Sequence, residues 1–365
     1  MGAVKVHPWL AGLAILLLAT ALNATPLHRR AGVVPSLSGD LHVMGPVGNS
    51  TYPRANFLAD GSIIGTYTAF DDNSSGARES IITLARSTDS GATWTEIGTA
   101  ARGPTATTDI DNPYVLQLPS GRVLVAFRNH DHLTDGVTYT YFRITVCYSD
   151  DDGATWSYLS TPAEDSGTVT GDWEPLLRIA DDGETLQLFY SRENNDDDQD
   201  SLMRTSTTGG ETWSDATTIS GAELSNSRDG MLGVAETSTG DLIAVFETEK
   251  GGSTFHIEAV TSEDGGTTWI DRRVVYQTED TSLNAAAPQV INVGGTLVVS
   301  FQTNEDGDTA VKLVTSGDDG QTWDNKITAM PAVSQWAGLL TLDDSSFLVM
   351  AGNDGTAKAQ KVILS

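Results

Sequence analysis

SDDDGATW, residues 149–156, is one of five copies of the motif Ser-x-Asp-x-Gly-x-Thr-Trp. The other copies are STDSGATW (87–94), STTGGETW (206–213), SEDGGTTW (262–269) and SGDDGQTW (316–323), and successive copies start 62, 57, 56 and 54 residues apart. Only Thr208 replaces the motif aspartate, whereas the positions of Asp150 and Asp152 vary. The recurring chemistry is that of a turn, because glycine accepts a positive φ and Ser, Thr and Asp side chains bond nearby backbone groups.

Short β-patterned runs flank each copy, as residues 81–86 and 95–99 do around the first. A second hairpin pattern lies upstream of each copy, for example YVLQLPSGRVLVAF at 114–127. Each unit therefore supplies four strands, with the motif as the turn between the third and fourth strands. Repeating units of four short strands indicate a β-propeller.

A sixth hairpin pattern, AGLLTLDDSSFLVMAG (337–352), has no motif after it. The last unit has three strand patterns, at 337–342, 346–351 and 358–364, and the early run LHVMG (41–45) can supply the fourth. This pairing would close the ring and remove two exposed sheet edges. The sequence therefore predicts an all-β, six-bladed propeller that forms a single domain over residues 31–365, without a helical subdomain.

The first 24 residues have the layout of a cleaved signal peptide: a lysine, an apolar run and then small residues. The pair Arg29-Arg30 is compatible with removal of a propeptide to residue 30. We therefore expect a secreted, extracellular protein that does not span a membrane. Asn49 and Asn73 are N-glycosylation acceptors if the host is eukaryotic.

The net charge of −28 and the pI near 4.3 argue against nucleic acid or an anionic membrane surface as a partner, because phosphate contacts need basic patches. The acidic run NNDDDQD (194–200) lacks the ligand order of a calcium loop. We expect no metal and no cofactor, and we expect a monomer.

In a propeller of this register, residues just before first strands and just after second strands share the face opposite the motif turns. Polar and aromatic side chains gather at these positions, as a carbohydrate site requires. The candidate substrate contacts are Arg54, Asn112, Arg128, Asn129, Trp173, Arg192, Arg228, Asp229, Gln302 and Trp336.

Glu174 and Glu247 stand out because each directly abuts an apolar or aromatic strand end. They come from adjacent units, three and four, so their carboxyl groups can approach each other across the central cavity. Carboxyls about 5 to 5.5 Å apart suit a retaining glycosidase, and a gap of about 6.5 to 9.5 Å suits an inverting one. Phe246 or Trp173 could raise the pKa of the acid by excluding water.

The repeated motif resembles the Asp box of sialidases and related secreted glycosidases. The fold and the glutamate positions together resemble glycoside hydrolase family 93, the secreted fungal exo-arabinanases, through DNPYVLQLPSGRVLVAFRNHD (111–131), GDWEPLL (171–177), SRDGMLG (227–233) and AVFETEK (244–250). This resemblance implies an exo-1,5-α-L-arabinanase that releases arabinobiose from linear arabinan with retention. It implies Glu174 as the nucleophile and Glu247 as the acid/base.

Two alternatives remain open. A sialidase needs an arginine cluster, which is available, and a tyrosine nucleophile on a late blade, but no tyrosine follows Tyr276. The Arg-Ile-Pro tripeptide of many sialidases is also absent, and Tyr52-Pro53-Arg54 stands in its place. The second alternative is a non-catalytic propeller that binds glycans, in which the two glutamates would only bond sugar hydroxyls.

Overall fold

The computed structural model describes residues 33–167 and 171–365. The predicted signal peptide and the propeptide boundary at residue 30 lie outside the described residues. Within those residues, the regular structure consists of β-strands, and no helix is long and apolar enough to cross a membrane.

The described strands form six antiparallel sheets of four strands each. Blade one contains β2 (Ser50–Phe57), β3 (Ile63–Asp72), β4 (Arg78–Ser87) and β5 (Thr95–Pro104). Blade two contains β6 (Thr108–Gln117), β7 (Val123–His132), β8 (Tyr139–Ser149) and β9 (Ser157–Ser166). Blade three contains β10 (Gly171–Ile179), β11 (Leu186–Asn195), β12 (Asp198–Ser206) and β13 (Thr217–Ser220). Blade four contains β14 (Gly230–Glu236), β15 (Leu242–Thr248), β16 (His256–Ser262) and β17 (Ile270–Tyr276). Blade five contains β18 (Ala285–Val293), β19 (Thr296–Thr303), β20 (Ala310–Ser316) and β21 (Asp324–Met330). Blade six contains β22 (Ser334–Asp343), β23 (Ser346–Asn353), β24 (Thr356–Leu364) and β1 (Pro35–Val43).

Blade six closes the ring by joining the two ends of the chain. Strand β1 pairs with β24 from Pro35 opposite Leu364 to Val43 opposite Lys358. The predicted pairing of the early run with the last unit is confirmed, although the strand begins earlier, at Pro35, and ends at Val43, before Met44 and Gly45. The predicted six-bladed, all-β propeller is confirmed as well, and the ring leaves no blade with an unpartnered fourth position.

Apolar side chains from facing blades form the core. The second strands are deeply buried, and Leu242–Phe246 of β15 have no exposed surface. Such continuous apolar runs form strands that are covered on both faces. The motif tryptophans fill the gaps between blades: Trp156 of blade two packs against a buried cluster that includes Ile64 and Leu84 of blade one.

The motif forms the predicted hairpin turn. The Asp151 carboxylate accepts hydrogen bonds from the Thr155 backbone nitrogen (2.8 Å) and from Thr155 Oγ1 (2.6 Å). Ser149 Oγ accepts one from the Gly153 nitrogen (2.9 Å), and Trp156 Nε1 donates to the Gly153 carbonyl oxygen (2.8 Å). Because Val123 pairs with Ser149, whereas Arg128 lies toward the other end of β7, the turn belongs to the face opposite the candidate site.

Every first strand is interrupted at the same place by a break in register. One non-glycine residue in each break has a positive φ between 47° and 56°. These six residues, here called the inner ring, are Tyr52, Asn112, Glu174, Met231, Ala287 and Trp336. Bulges of this kind re-aim a side chain, and four of the six, from blades one, four, five and six, pack against one another.

A second set of six positions follows from the same register. The residue before each inner-ring position pairs with one residue of the neighbouring second strand. These partners, here called the outer ring, are Thr68, Arg128, Ser191, Glu247, Gln302 and Gly352. Glu174 therefore lies in the inner ring and Glu247 in the outer ring, at the same end of the propeller.

Candidate active site

Glu174 and Glu247 line one cavity of about 680 Å³ at the mouth of the propeller. Each is partly exposed, although its strand neighbours are mostly buried. The bulge places Glu174 in the inner ring, and the pairing of Glu247 with Gly230 places the second carboxyl beside it on the next blade.

The Glu247 carboxylate is fixed by the following blade. Its Oε2 accepts a hydrogen bond of 2.6 Å from the backbone nitrogen of Ala287, the inner-ring residue of blade five. Two other outer-ring side chains accept the equivalent bond: Ser191 from the Met231 nitrogen (3.1 Å) and Gln302 from the Trp336 nitrogen (2.9 Å). Glu247 Oε1 has no hydrogen-bond partner in the described part of the chain, which leaves it available to a ligand.

The Glu174 carboxyl is partly shielded from solvent. Its Oε2 is buried, and no hydrogen-bond partner occurs for it among the described residues. Burial, and then the nearby Glu247 charge, raise the pKa of Glu174 to about 8, although the Arg128 guanidinium acts in the opposite direction. An acid with this pKa can hold a proton at neutral pH.

Burial also raises the pKa of Glu247 to about 7, against the effects of the Ala287 N–H and the Arg228 charge. Because Glu247 raises the pKa of Glu174, the two titrate as a coupled pair. A pair that holds one proton near neutrality can supply an acid and a base at once.

Glu193 connects the surroundings of the two carboxyls. Its Oε2 accepts a hydrogen bond from Trp173 Nε1 at 3.0 Å, and its Oε1 lies 3.2 Å from both terminal nitrogens of Arg228. Glu193 was not predicted, because Arg192 was placed just after the second strand. Alternation along β11, which extends to Asn195, puts Glu193 on the face of Ser191 and Arg192 on the opposite face.

Five of the ten predicted substrate contacts line the cavity: Arg128, Trp173, Arg228, Gln302 and Trp336. The Arg128 guanidinium is paired with Asp109 at 3.1 Å and Asp111 at 3.3 Å, and it lies 5.2 Å from the Trp173 ring centre. Trp336 stacks on Tyr52 with ring centres 4.3 Å apart.

Arg54 and Asn112 lie deeper in the molecule. Together with Glu174 they line a small cavity of about 10 Å³ below the mouth. Arg54 donates hydrogen bonds of 2.9 Å to the carbonyl oxygens of Pro53 and Trp336, so it links blade one to blade six. Because the guanidinium group of Arg54 is already bonded to protein, its role is structural, in holding two blades of the propeller together.

Asn129, Arg192 and Asp229 do not line the cavity. The Asn129 side chain bonds Thr145 (3.1 Å) and Arg143 (3.1 Å), and Arg192 pairs with Asp165 (3.1 Å). Asp229 is wholly buried and is held by Arg272 at 2.6 and 3.0 Å. Each of the three is next in sequence to a residue that lines the cavity or belongs to the outer ring. The prediction was therefore wrong by one position at each of them.

The cavity also has a wall from blades four and five that the sequence analysis did not assign. It includes Glu249, Phe255, Asn284 and Asn304. Their signals were weak because Phe255 and Asn304 lie in loops without a repeated pattern.

Tyr52 bears on the sialidase alternative because it lies in the inner ring and lines the cavity. Burial raises the pKa of its phenol well above the ordinary value, with smaller contributions from Asp111 and Glu174. The hydroxyl therefore stays protonated in the free protein. Among the described residues, no group of three or more His, Cys, Asp or Glu side chains could hold a metal ion.

Six blades, five of them with an Asp-box turn, around a carboxyl-lined mouth define a sialidase-like β-propeller. The BNR repeat-like domain family matches residues 162–364, which is more than half of the chain, and the chain belongs to that family. No curated protein sequence matches this one.

Solved structures share the fold. The α-L-arabinofuranosidase Arb93A of Fusarium graminearum, in complex with an iminosugar inhibitor, is 21% identical, has a TM-score of 0.71, and the match covers 89% of this chain and 98% of that one. The Penicillium chrysogenum α-L-arabinanase in complex with arabinobiose is 18% identical with a TM-score of 0.68, covering 91% and 97%. The NanB sialidase of Streptococcus pneumoniae is 13% identical with a TM-score of 0.60, covering 90% and 69%.

Proposed function

We propose that this protein is a retaining glycoside hydrolase of family 93, an exo-1,5-α-L-arabinanase that releases arabinobiose from linear arabinan. The observation that carries the proposal is the pair Glu174 and Glu247, two carboxyls with raised pKa in one cavity. Structures of a family 93 arabinofuranosidase and of an arabinanase, each with arabinobiose, support the choice of sugar.

In the proposed reaction, the Glu174 carboxylate attacks the anomeric carbon while Glu247 protonates the departing glycosidic oxygen. The Glu247 carboxylate then takes a proton from water, and the resulting hydroxide displaces Glu174 from the sugar. Two inversions at the same carbon give net retention. The bond from Ala287 holds one oxygen of Glu247, so the other oxygen can face the glycosidic oxygen.

The neighbouring side chains suit a neutral sugar. Arg128 and Arg228 present donors that are partly satisfied by carboxylates, and Trp173 and Trp336 present aromatic surfaces to the cavity. Aromatic rings pack against the apolar face of a sugar while polar groups bond its hydroxyls. An anionic sugar would meet the carboxylates of Glu174, Glu247 and Glu249.

Product analysis tests the function. The protein is incubated with linear arabinan and, separately, with a sialyl reporter. Arabinobiose as the released product would support the proposal, and free sialic acid would overturn it in favour of a sialidase. Saturable binding of arabinan without turnover would instead favour a glycan-binding propeller.

In the free protein the pKa of Glu174 is higher than that of Glu247, which would also suit Glu174 as the acid. Azide rescue therefore tests which glutamate has which role. With Glu247→Ala, azide should attack the glycosyl-enzyme intermediate and give a glycosyl azide of retained configuration. With Glu174→Ala, it should replace the nucleophile and give the inverted azide. The opposite stereochemistry would exchange the roles. Glu263→Ala, at an exposed glutamate of the motif turn in blade four, is the matched control.

We also propose that the protein is secreted. The motivating observation is the charged, apolar and small-residue order of the first 24 residues. Protein recovered from the culture medium should begin near Thr25, or at Ala31 if the propeptide is removed. Retention of Met1 in the mature protein would contradict cleavage.

A further inference from the structure

The cavity continues beyond Glu247 along an outer wall, defined as Glu249, Phe255, Asn284 and Asn304. Glu249 comes directly after the end of β15, two positions after Glu247, and both side chains line the cavity. The Glu249 backbone is held by a 2.7 Å hydrogen bond from its nitrogen to the Ser227 carbonyl oxygen. This bond ties Glu249 to the loop that precedes β14.

A chain of hydrogen bonds orders the loops of this wall. Asn304 Oδ1 accepts a hydrogen bond of 2.9 Å from the Asn284 nitrogen, and Asn284 Oδ1 accepts one of 2.9 Å from the Phe255 nitrogen. Because backbone N–H groups only donate, both amide oxygens are committed to protein. Neither NH₂ group has a protein acceptor within residues 33–167 and 171–365, and both side chains line the cavity.

The Glu249 carboxylate complements these donors. It is partly buried, and neither a hydrogen bond nor an ion pair joins it to any described residue. Two NH₂ donors, a carboxylate acceptor and the Phe255 ring thus share one wall. This combination suits a neutral polyhydroxyl ligand, since hydroxyls both donate and accept and a sugar ring has an apolar face.

We propose that the outer wall is the subsite for the leaving part of the arabinan chain. The inference rests on the proposed function, in which Glu247 protonates the departing oxygen. The departing sugar must then lie on the Glu247 side of the cleavage point, and the outer wall is the next surface along that strand. Glu249 accepts from its hydroxyls, the two amides donate to them, and Phe255 covers one furanose face.

The consequence is a preference for a sugar leaving group over a small one. The test compares kcat/KM for an aryl α-arabinobioside, whose leaving group is a phenol, with kcat/KM for linear arabino-oligosaccharides of four or more units. Phe255→Ala and the isosteric Glu249→Gln should each lower the oligosaccharide value about tenfold, the worth of one lost charged hydrogen bond or ring contact. The aryl value should change less than about threefold.

Tyr158→Ala is the matched control, because Tyr158 is an exposed aromatic outside the cavity. Melting temperatures verify that each variant is folded. If Phe255→Ala is not folded, Glu249→Gln still tests the proposal. Equal losses of kcat/KM on both substrates, or no loss on either, would overturn the subsite. The proposed function would still stand if the wild-type protein turns over the aryl substrate. Turnover of neither substrate by the wild-type protein would overturn both.

Discussion

Glu247 Oε2 lies 2.6 Å from the backbone nitrogen of Ala287, so a candidate catalytic carboxylate also joins blade four to blade five. The same bond is made by Ser191 and Gln302 in other blades, which have no proposed role in proton transfer. The outer-ring position thus has a structural role in blades three, four and five, and in blade four it is occupied by a titratable group.

Substitutions of Glu247 should separate these two roles. Glu247→Gln retains an acceptor for the Ala287 N–H, whereas Glu247→Ala leaves that donor without one. Both should lose at least about a hundredfold in activity. Only the alanine variant should also lose about 1 kcal/mol of unfolding free energy relative to the glutamine variant. Denaturant titration measures the difference, and equal stability of the two variants would contradict the structural role.

Glu174→Gln should alter the pH dependence of stability. The folded pKa of Glu174, about 8, lies above the unfolded value of 4.5, so folding favours the protonated form. Its stabilising contribution is fully present below pH 4.5 and is lost as the pH rises through 8. The variant should therefore match the wild type near pH 4.5 and be more stable by on the order of 2 kcal/mol near pH 9. Melting temperatures of both proteins between pH 4.5 and pH 9 measure this difference in stability. A difference that does not change with pH would contradict the expected effect of Glu174.

Glu193→Gln should shift the pH profile of kcat/KM to lower pH. The Glu193 charge helps to raise the pKa of Glu174, and it neutralises Arg228, whose charge lowers the pKa of Glu247. Removing that charge should lower the pKa of both carboxyls, while the amide still accepts from Trp173. Glu263→Gln, at the opposite face, is the control that should leave the profile unmoved. A reduced kcat/KM with an unshifted pH profile would indicate that Glu193 only holds the loop in place.

Asp229→Ala should act on stability and not on sugar binding. The Asp229 carboxylate is wholly buried against Arg272, and its removal leaves a partly buried guanidinium with fewer partners. Because Glu258 and Glu223 still pair with Arg272, the loss should be about 1 to 3 kcal/mol. Denaturant titration should show that loss, with KM of the folded fraction unchanged. Wild-type stability with a raised KM would instead indicate that Asp229 contacts the substrate.

The fold was predictable because its signals are local. Each motif turn is closed by hydrogen bonds within four residues, as between Asp151 and Thr155, so a short stretch of sequence contains all of its partners. The site was less predictable, because a strand has a period of two and one misplaced residue reverses which side chain faces the cavity. Arg192 and Glu193 illustrate that reversal.

The sequence by itself determined the number of blades, the ring closure and the face that carries the site, since these follow from the repeat and from chain order. Only the tertiary structure decided which side chains meet. The bulge at Glu174 interrupts the alternation of its strand, and Glu247 is fixed by a backbone N–H that is 40 residues away in sequence. The raised pKa of each carboxyl depends on burial that only the closed ring provides.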